Sequence, residues 1–540
     1  MKDNSRLIIA PLILLIGLGC GFSWIFFGSA CLVLCRDETT ILLTSEVTLQ
    51  STKPVSPTLT NDNRIGIPTL LPSGFVTSTV VGTVPTNQSS AGPVTSAKPE
   101  LPVTAIATVF TDYNLLVKLN PDTKVATVSQ IISYVNHTTE TLRELQLVVD
   151  PQRRPGVFKL QTIRRIGTEL PLANKLVDGV MHLSLVPPVL PGQQLVLRLD
   201  YELRLPNKAD YFGYTARQLN FGDWFPFVPP YIAGQGWLIH APASVGEYLV
   251  RDIANHHVKI QLETANYLKW QIAASGIIMR QDNIWTYELP QSRGFDWSLS
   301  TEYISSIRTV TLSDSKVITI ESYSFPEHLK AGQAVANIAA QAMQLYSEKF
   351  VPYAHANLVA VEADFADGME YDGLFFLSKD YYANYDGTPN NYLTLLAAHE
   401  TAHQWWFGLI GNDPALEPWL DETLATYSEL LFLERYYPHL TQWWWQFRVE
   451  RYAPIGDVGA SIYTYSAFRP YVNAVYLRGV LYLRELRQAL GEPAFWGFLK
   501  DYAVSNRYRL SNTERFLEQI AALSVPKRDE IRMRYFVRAR

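Results

Sequence analysis

The sequence predicts a multidomain α+β protein in which an apolar leader and a low-complexity stretch precede a β-rich region and then a helix-rich one. Three observations predict it. Leu7–Cys35 carries no charged side chain, the apolar pattern from about Ala105 to Arg308 repeats every two residues, and beyond Phe325 the repeat becomes that of a helix. With 540 residues, 47% of them hydrophobic and 12% aromatic, the chain can bury more than one core.

At helical rise Leu7–Cys35 is long enough to cross ~30 Å of hydrocarbon. It exceeds the ~7–15 apolar residues of a cleavable signal. Lys2 and Arg6 precede it, whereas Arg36 is followed at once by Asp37 and Glu38. The positive-inside rule then puts the N-terminus in the cytoplasm and everything after Cys35 outside. Residues 1–36 are thus expected to form a cytoplasmic tip and single-pass transmembrane signal anchor in the cell membrane. A lipoprotein signal ending at Gly17-Leu18-Gly19-Cys20 is the competing reading; against it, Gly17 stands where an aliphatic is expected and apolar sequence runs on past Cys20.

Residues 37–104 are rich in Thr, Ser, Pro and Val, and Phe75 is their only aromatic. Such a stretch buries too little apolar surface to offset its ordering entropy, so it is read as a disordered stalk. All three cysteines, Cys20, Cys31 and Cys35, precede it, which excludes a disulfide framework or a cysteine metal site downstream. A net charge of only −5 supplies no basic field, so nucleic acid is not an expected partner. Oligomeric state is not legible.

Residues 105–310 are predicted to be a β-sandwich. Leu195, Leu197, Leu199, Tyr201, Leu203 and Leu205 alternate with Val196, Arg198, Asp200, Glu202 and Arg204, the pattern of a half-buried strand. Similar runs occur at Leu115–Leu119, Val128–Val135 and Val258–Leu262, with turn residues between them. His256 and His257 fall on one of these strands, point to opposite faces and so cannot readily share an ion.

Residues 311–540 are expected to form the second folded domain. Val335, Ile338, Ala339, Ala342, Leu345 and Tyr346 mark one face of a helix reaching about Phe350. A strand follows at Asn357–Glu362, taken as an edge, then a polar loop; beyond Thr394 helical patterns dominate. The Trp443-Trp444-Trp445 run is read as core plus one exposed ring, with no assigned role.

Chemistry concentrates in His399-Glu400-Thr401-Ala402-His403. Histidines four apart share a helical face and can converge on one ion. Glu400, about 100° round from His399, can reach water on that ion without being a ligand. A catalytic zinc needs a third protein ligand and keeps a fourth position for water. Trp419-Leu420-Asp421-Glu422 offers one, with Glu422 placed 19 residues after His403, room for a loop and a second helix. The expected cofactor is one catalytic Zn2+ on His399, His403 and Glu422, with Glu400 as general base. Glu429, seven residues beyond Glu422 on the same face, either orients a ligand histidine or is simply solvated.

With these motifs the sequence resembles the gluzincin zinc metallopeptidase family of aminopeptidase N and leukotriene hydrolase, over roughly residues 105 to 525. His399 to Trp405 and then Leu420-Asp421-Glu422 match its zinc signature. Asp367-Gly368-Met369-Glu370-Tyr371 fills the slot of its Gly-x-Met-Glu-Asn motif, and Val475-Tyr476-Leu477-Arg478-Gly479 is similar to its Val-Tyr-x-Lys-Gly segment. The resemblance implies a thermolysin-like, mostly helical catalytic domain over 311–540 and a short member without the family's C-terminal domains. It implies that Tyr476 supports the oxyanion, with Tyr463, Tyr465 and Tyr471 as nearby competitors. It also implies that Glu370, with Met369 and Gly368, binds the N-terminal end of peptide substrates.

Departures bear on specificity. Asp367 replaces the family's Gly and Tyr371 its Asn. The second amine-binding group usually precedes a Phe-Pro-Cys segment; here that segment is Phe225-Pro226-Phe227, and upstream of it only Gln218 is a substitute, one residue out of register. Asp367 is an alternative source of that charge. The expectation is a membrane-anchored zinc aminopeptidase; a zinc endopeptidase of altered specificity and a non-catalytic surface binding module are the competing readings.

Overall fold

A computed structural model describes residues 110–168 and 172–537. The expected membrane anchor (1–36) and stalk (37–104) lie outside the described residues. Among the described residues no helix is long and apolar enough to cross a membrane. All of them fall within one structural unit, Pro102–Arg540.

The first half is built from strands. A seven-stranded sheet runs Ile277–Gln281, Ile284–Ser292, Ala254–Leu262, Thr111–Asn120, Val125–Val135, Gln194–Arg204, Phe158–Arg165. Only the pairing of Thr111–Asn120 with Ala254–Leu262 is parallel. Along Gln194–Arg204, Leu195, Leu197, Leu199, Tyr201 and Leu203 are buried while their neighbours are not, as the period-two alternation requires. A three-stranded sheet (Leu142–Val148, Val180–Val189, Asn174–Val177) and a four-stranded one (Gln271–Ala274, Trp297–Ser300, Leu219–Phe221, Phe212–Tyr214) share its core. The two histidines diverge: His256 is buried against the Tyr113 ring with Nδ1 2.8 Å from Ser292 Oγ, while His257 faces outward to Glu288.

A second sheet has five strands: β1 (Ile304–Thr311), β2 (Val317–Ser324), β3 (Asn357–Ala363), β4 (Gly368–Tyr371) and β5 (Leu374–Ser378), in the order β1-β2-β3-β5-β4. It begins at Ile304, ahead of the boundary at 310 expected from sequence. β3 is central, not the edge strand that the sequence suggested; every residue in it is buried, because helices cover one sheet face and Ala273 and Tyr303 the other. The edge is β4, a four-residue strand paired antiparallel to β5.

Helix α1 (Leu329–Lys349) buries the predicted stripe, Val335 through Tyr346, against that sheet. Then come α2 (Tyr392–Ala402), α3 (Trp419–Tyr436) and α4 (Gly479–Leu490). Gln404 joins sheet to helix: its Nε2 donates to the Tyr371 carbonyl (3.0 Å) and its Oε1 accepts from the Gly373 N–H (2.8 Å). The edge strand is thereby held beside the end of α2.

Candidate metal centre

Helix α2 starts at an Asn391 cap whose side-chain oxygen accepts from the Thr394 N–H. Two turns on it carries His399 and Glu400, and it ends at His403. The histidine Nε2 atoms lie 3.1 Å apart. Glu422, in the first turn of α3, brings Oε2 to 3.3 Å from His399 Nε2 and 3.6 Å from His403 Nε2. Ligands of a tetrahedral zinc, at bonds of about 2.0–2.1 Å, sit roughly 3.3 Å from one another. That Glu422 oxygen is buried and accepts no hydrogen bond. The three residues therefore fit a tetrahedral cation of zinc's size.

Each ligand is fixed from behind. His403 Nδ1 lies 3.0 Å from the Trp406 carbonyl. His399 Nδ1 lies 3.1 Å from Glu429 Oε1, so the sequence's open question about Glu429 is answered by a fully buried side chain, not a solvated one. Trp444 Nε1 donates to Glu429 (2.9 Å) and Arg448 grips both its oxygens at 3.0 Å. Burial opposes ionisation of Glu429, but the Arg448 guanidinium and these hydrogen bonds hold it below the usual carboxylate range. A carboxylate there sets the histidine tautomer, leaving Nε2 free for an ion. Ahead of Glu422, Asp421 accepts from Asn412 Nδ2 (2.9 Å) and from the Glu422 N–H (2.7 Å).

The centre opens onto a cavity of about 540 Å³. Glu400 lines it with one buried carboxylate oxygen unbonded, and burial pushes its carboxyl upward. Gly368 lies directly against that carboxylate, with no side chain between. Tyr476, half-buried on the π-helical turn Asn473–Arg478, donates to Glu422 Oε1 and lies parallel to the His399 ring at 6.2 Å. Of its competitors, Tyr471 also lines the cavity, 5.7 Å from the Tyr476 ring; Tyr463 is exposed and bonds the Ala241 carbonyl.

Glu370 lies on β4 with Oε1 buried and unbonded, 3.8 Å from His403 Nδ1. Met369 beside it is half-buried, packs against the cluster of Tyr303, Tyr371 and Phe376 and also lines the cavity. The carboxylate that joins Glu370 is one the sequence analysis missed. Glu247, half-buried, offers an oxygen within 4.8 Å of oxygens of both Glu370 and Glu422. Burial first, then neighbouring charge (Glu370 for Glu247, Glu422 and Glu400 for Glu370), pushes both carboxyls well above the usual range. The segment bearing Glu247 is tied down by His240 to Asp413 (2.8 Å) and by Gly246, whose positive φ and missing side chain admit Ile462 and Tyr471 at contact distance. No periodicity marks such a loop.

Gln218 is not in the site. Its amide is spent on Tyr303 Oη, the Glu362 carbonyl and the Asp364 N–H. Asp367 has positive φ and lines the cavity, but it accepts from Tyr381 Oη (2.9 Å) and does not join the cluster around Glu370. Tyr371 points away, its hydroxyl 3.3 Å from Asp223 Oδ2.

Residues 334–535 match the peptidase family M1 domain. Among curated relatives, the chain is 27% identical over 238 residues to Aminopeptidase 2 of Candida albicans, covering 39% of this chain and 25% of that one. It is 25% identical over 263 residues to Aminopeptidase N of Streptomyces lividans, covering 44% and 30%. The matches thus span only about a quarter to a third of those relatives' lengths. The M1 zinc metallopeptidase of Deinococcus radiodurans shares the fold at a TM-score of 0.55 and 17% identity, over 78% of this chain and 92% of that one.

Proposed function

We propose that this protein is a zinc-dependent aminopeptidase that removes N-terminal residues from peptides. One observation carries the reading. Beside the histidine pair and Glu422, Glu247 brings an oxygen within 4.8 Å of one of Glu370, and Glu370 keeps a buried, unbonded oxygen. Crowded carboxylates lacking donors form a receptor for a cation that donates several hydrogen bonds, which describes a peptide α-ammonium. Fixing that group positions the first peptide bond over the metal triad.

His399, His403 and Glu422 would hold zinc, which would supply Lewis acidity to the scissile carbonyl and to the attacking water. Glu400 accepts the proton of the attacking water and delivers it to the leaving amine. The Tyr476 hydroxyl turns from Glu422 to the developing oxyanion, a donor typically worth a few kcal/mol. Glu429, braced by Arg448 and Trp444, keeps His399 in one tautomer and orientation.

The uncharged run Leu7–Cys35 and its flanking charges support a signal anchor with the peptidase outside the cell. Protease applied to intact cells is then expected to release active peptidase by cutting between about Thr39 and Thr104; a catalytic domain shielded until lysis refutes that orientation.

The decisive experiment compares a peptide with its N-acetylated form, using wild type, Glu370→Ala and Glu247→Ala. Acetylation should cost wild type at least tenfold in kcat/KM, about 1.4 kcal/mol, and each variant should lose most of that gap. Equal cleavage of both peptides by wild type transfers the assignment to an endopeptidase with the same metal chemistry. Chelation should abolish hydrolysis in either case.

A further inference from the structure

Strand β4 is the outer strand of its sheet, and Gly368, Met369 and Glu370 line the cavity. On the aminopeptidase reading, the substrate ammonium sits at Glu370 while Glu400 lies against Gly368. A peptide laid along this edge therefore runs antiparallel to β4, and its residues beyond the cleaved bond leave past Gly368 and Asp367.

A continuous path of side chains leads on from there. Tyr381 donates to Asp367 Oδ1 at 2.9 Å, and its ring lies 6.3 Å from that of Tyr392. The Tyr392 hydroxyl accepts from Arg451 Nη2 at 2.9 Å and lies 3.3 Å from Tyr452 Oη. Arg451 stacks over Phe447 and Tyr452, with its guanidinium carbon 4.2 and 4.6 Å from the ring centres; Arg469 stacks over Tyr452 at 4.5 Å. Tyr392 and Arg469 also line the cavity.

Both arginines are exposed. Among the described residues neither is paired with a carboxylate, whereas Arg448 and Arg484 nearby hold Glu429 and Glu450. Aromatic rings hold both exposed guanidinium groups in place without a carboxylate partner, an arrangement suited to gripping one. Tyr392 precedes His399 by seven residues on one helix, about 10 Å along its axis. An extended peptide covers that distance in about three residues.

The geometry points to Arg451 and Arg469 as a carboxylate subsite at the exit of the cleft, which selects short peptides whose terminal carboxylate lies about three residues beyond the cleaved bond. The inference rests on the aminopeptidase reading for the direction of the substrate. An acidic side chain at the same depth presents the same chemistry, so the test separates the two sources.

A tetrapeptide with a free C-terminus is compared with its C-terminal amide, and a longer amidated peptide with Glu at the third residue beyond the bond with the same peptide carrying Gln. Wild type should show a KM for the tetrapeptide at least fivefold below that for its amide, with the larger part of the difference in KM rather than kcat. Arg469→Gln, whose described contact is ring stacking alone, and Arg451→Gln should each shrink the gap below twofold. Calorimetric binding of the same tetrapeptides to zinc-loaded Glu400→Gln should repeat the preference without turnover. If no peptide is cleaved but the acid still binds more tightly in an arginine-dependent way, the subsite stands while the proposed function falls. Equal KM and equal binding of acid and amide, a gap indifferent to both substitutions, or a preference seen only with the internal Glu overturns the inference.

Discussion

Gly479 is expected to be among the least replaceable residues outside the ligand set. It lies where the π-turn that carries Tyr476 passes into α4, at φ −60°, so alanine suits the backbone and only space decides. A Cβ there would stand 1.8 Å from Thr423 Oγ1 and 2.8 Å from that residue's Cβ and Cγ2, against a practical minimum of 3.0 Å. Thr423 cannot rotate clear: its hydroxyl donates to the Val475 carbonyl at 2.5 Å, and every rotamer leaves Cβ in place. Helix α3 and the π-turn must part. Overpacking of this kind costs about 1–3 kcal/mol and the strained hydrogen bond about 1 kcal/mol more, so Gly479→Ala should lose about 2–4 kcal/mol. Thr423 follows the ligand Glu422 and Val475 precedes Tyr476, so the same displacement should loosen the metal. Urea unfolding measures the first effect and chelator competition the second. Thr423→Ala in the same chain should restore about 1 kcal/mol or more as coupling between the two sites. Stability within about 0.5 kcal/mol of wild type, together with unchanged metal retention, would refute the close-approach argument.

Glu400→Gln should bind zinc normally yet lose most turnover, since an amide accepts no proton from water; undiminished turnover would assign the base elsewhere. Glu429→Gln should weaken zinc retention by about 10–100-fold, read by competition with a chromogenic chelator, and a wild-type value would show that Glu429 braces only Arg448. His256 supplies a pH test. Burial, then Arg251, holds it at about 3, below the ordinary imidazole value of 6.5, so below pH 6.5 the unfolded chain binds a proton that the folded one refuses. Its contribution is intact above pH 6.5 and is lost progressively towards pH 3, by up to about 2.7 kcal/mol between pH 6.5 and 4.5. The difference in unfolding free energy between wild type and His256→Asn should follow that slope; a difference independent of pH would rule out the buried neutral imidazole.

How far the sequence reached depended on how local each signal was. The ligand set needs only helical spacing and one loop, both countable along the chain, and the alternating leucines of Gln194–Arg204 declare their own buried face. Strand β4 is four residues long, too short for a period to be visible, so the edge was assigned to the more apolar β3, which lies in the middle of the sheet. Gln218 is the only substitute in the stretch upstream of Phe225-Pro226-Phe227 that matches the family's, one residue out of register, but its amide is spent on Tyr303, Glu362 and Asp364. Glu247 reaches Glu370 only because a long excursion through the sheet domain returns to the cavity, and nothing local encodes that return. Trp444 and Arg448 likewise meet Glu429 across a turn, from a tryptophan run whose composition suggested core packing alone.

Glu247 lies well before residue 334, where the match to the M1 peptidase domain begins. On the proposed function, the blade and the ruler therefore sit on separate stretches of the chain. The stretch from 334 onward carries everything needed to break an amide bond, while the device that counts one residue from the end is completed by a neighbour able to vary on its own schedule. Relatives that keep the blade unchanged could drift between trimming ends and cutting within chains by altering only the loop that delivers this one carboxylate. Two such enzymes could look alike throughout their shared stretch and still leave different products.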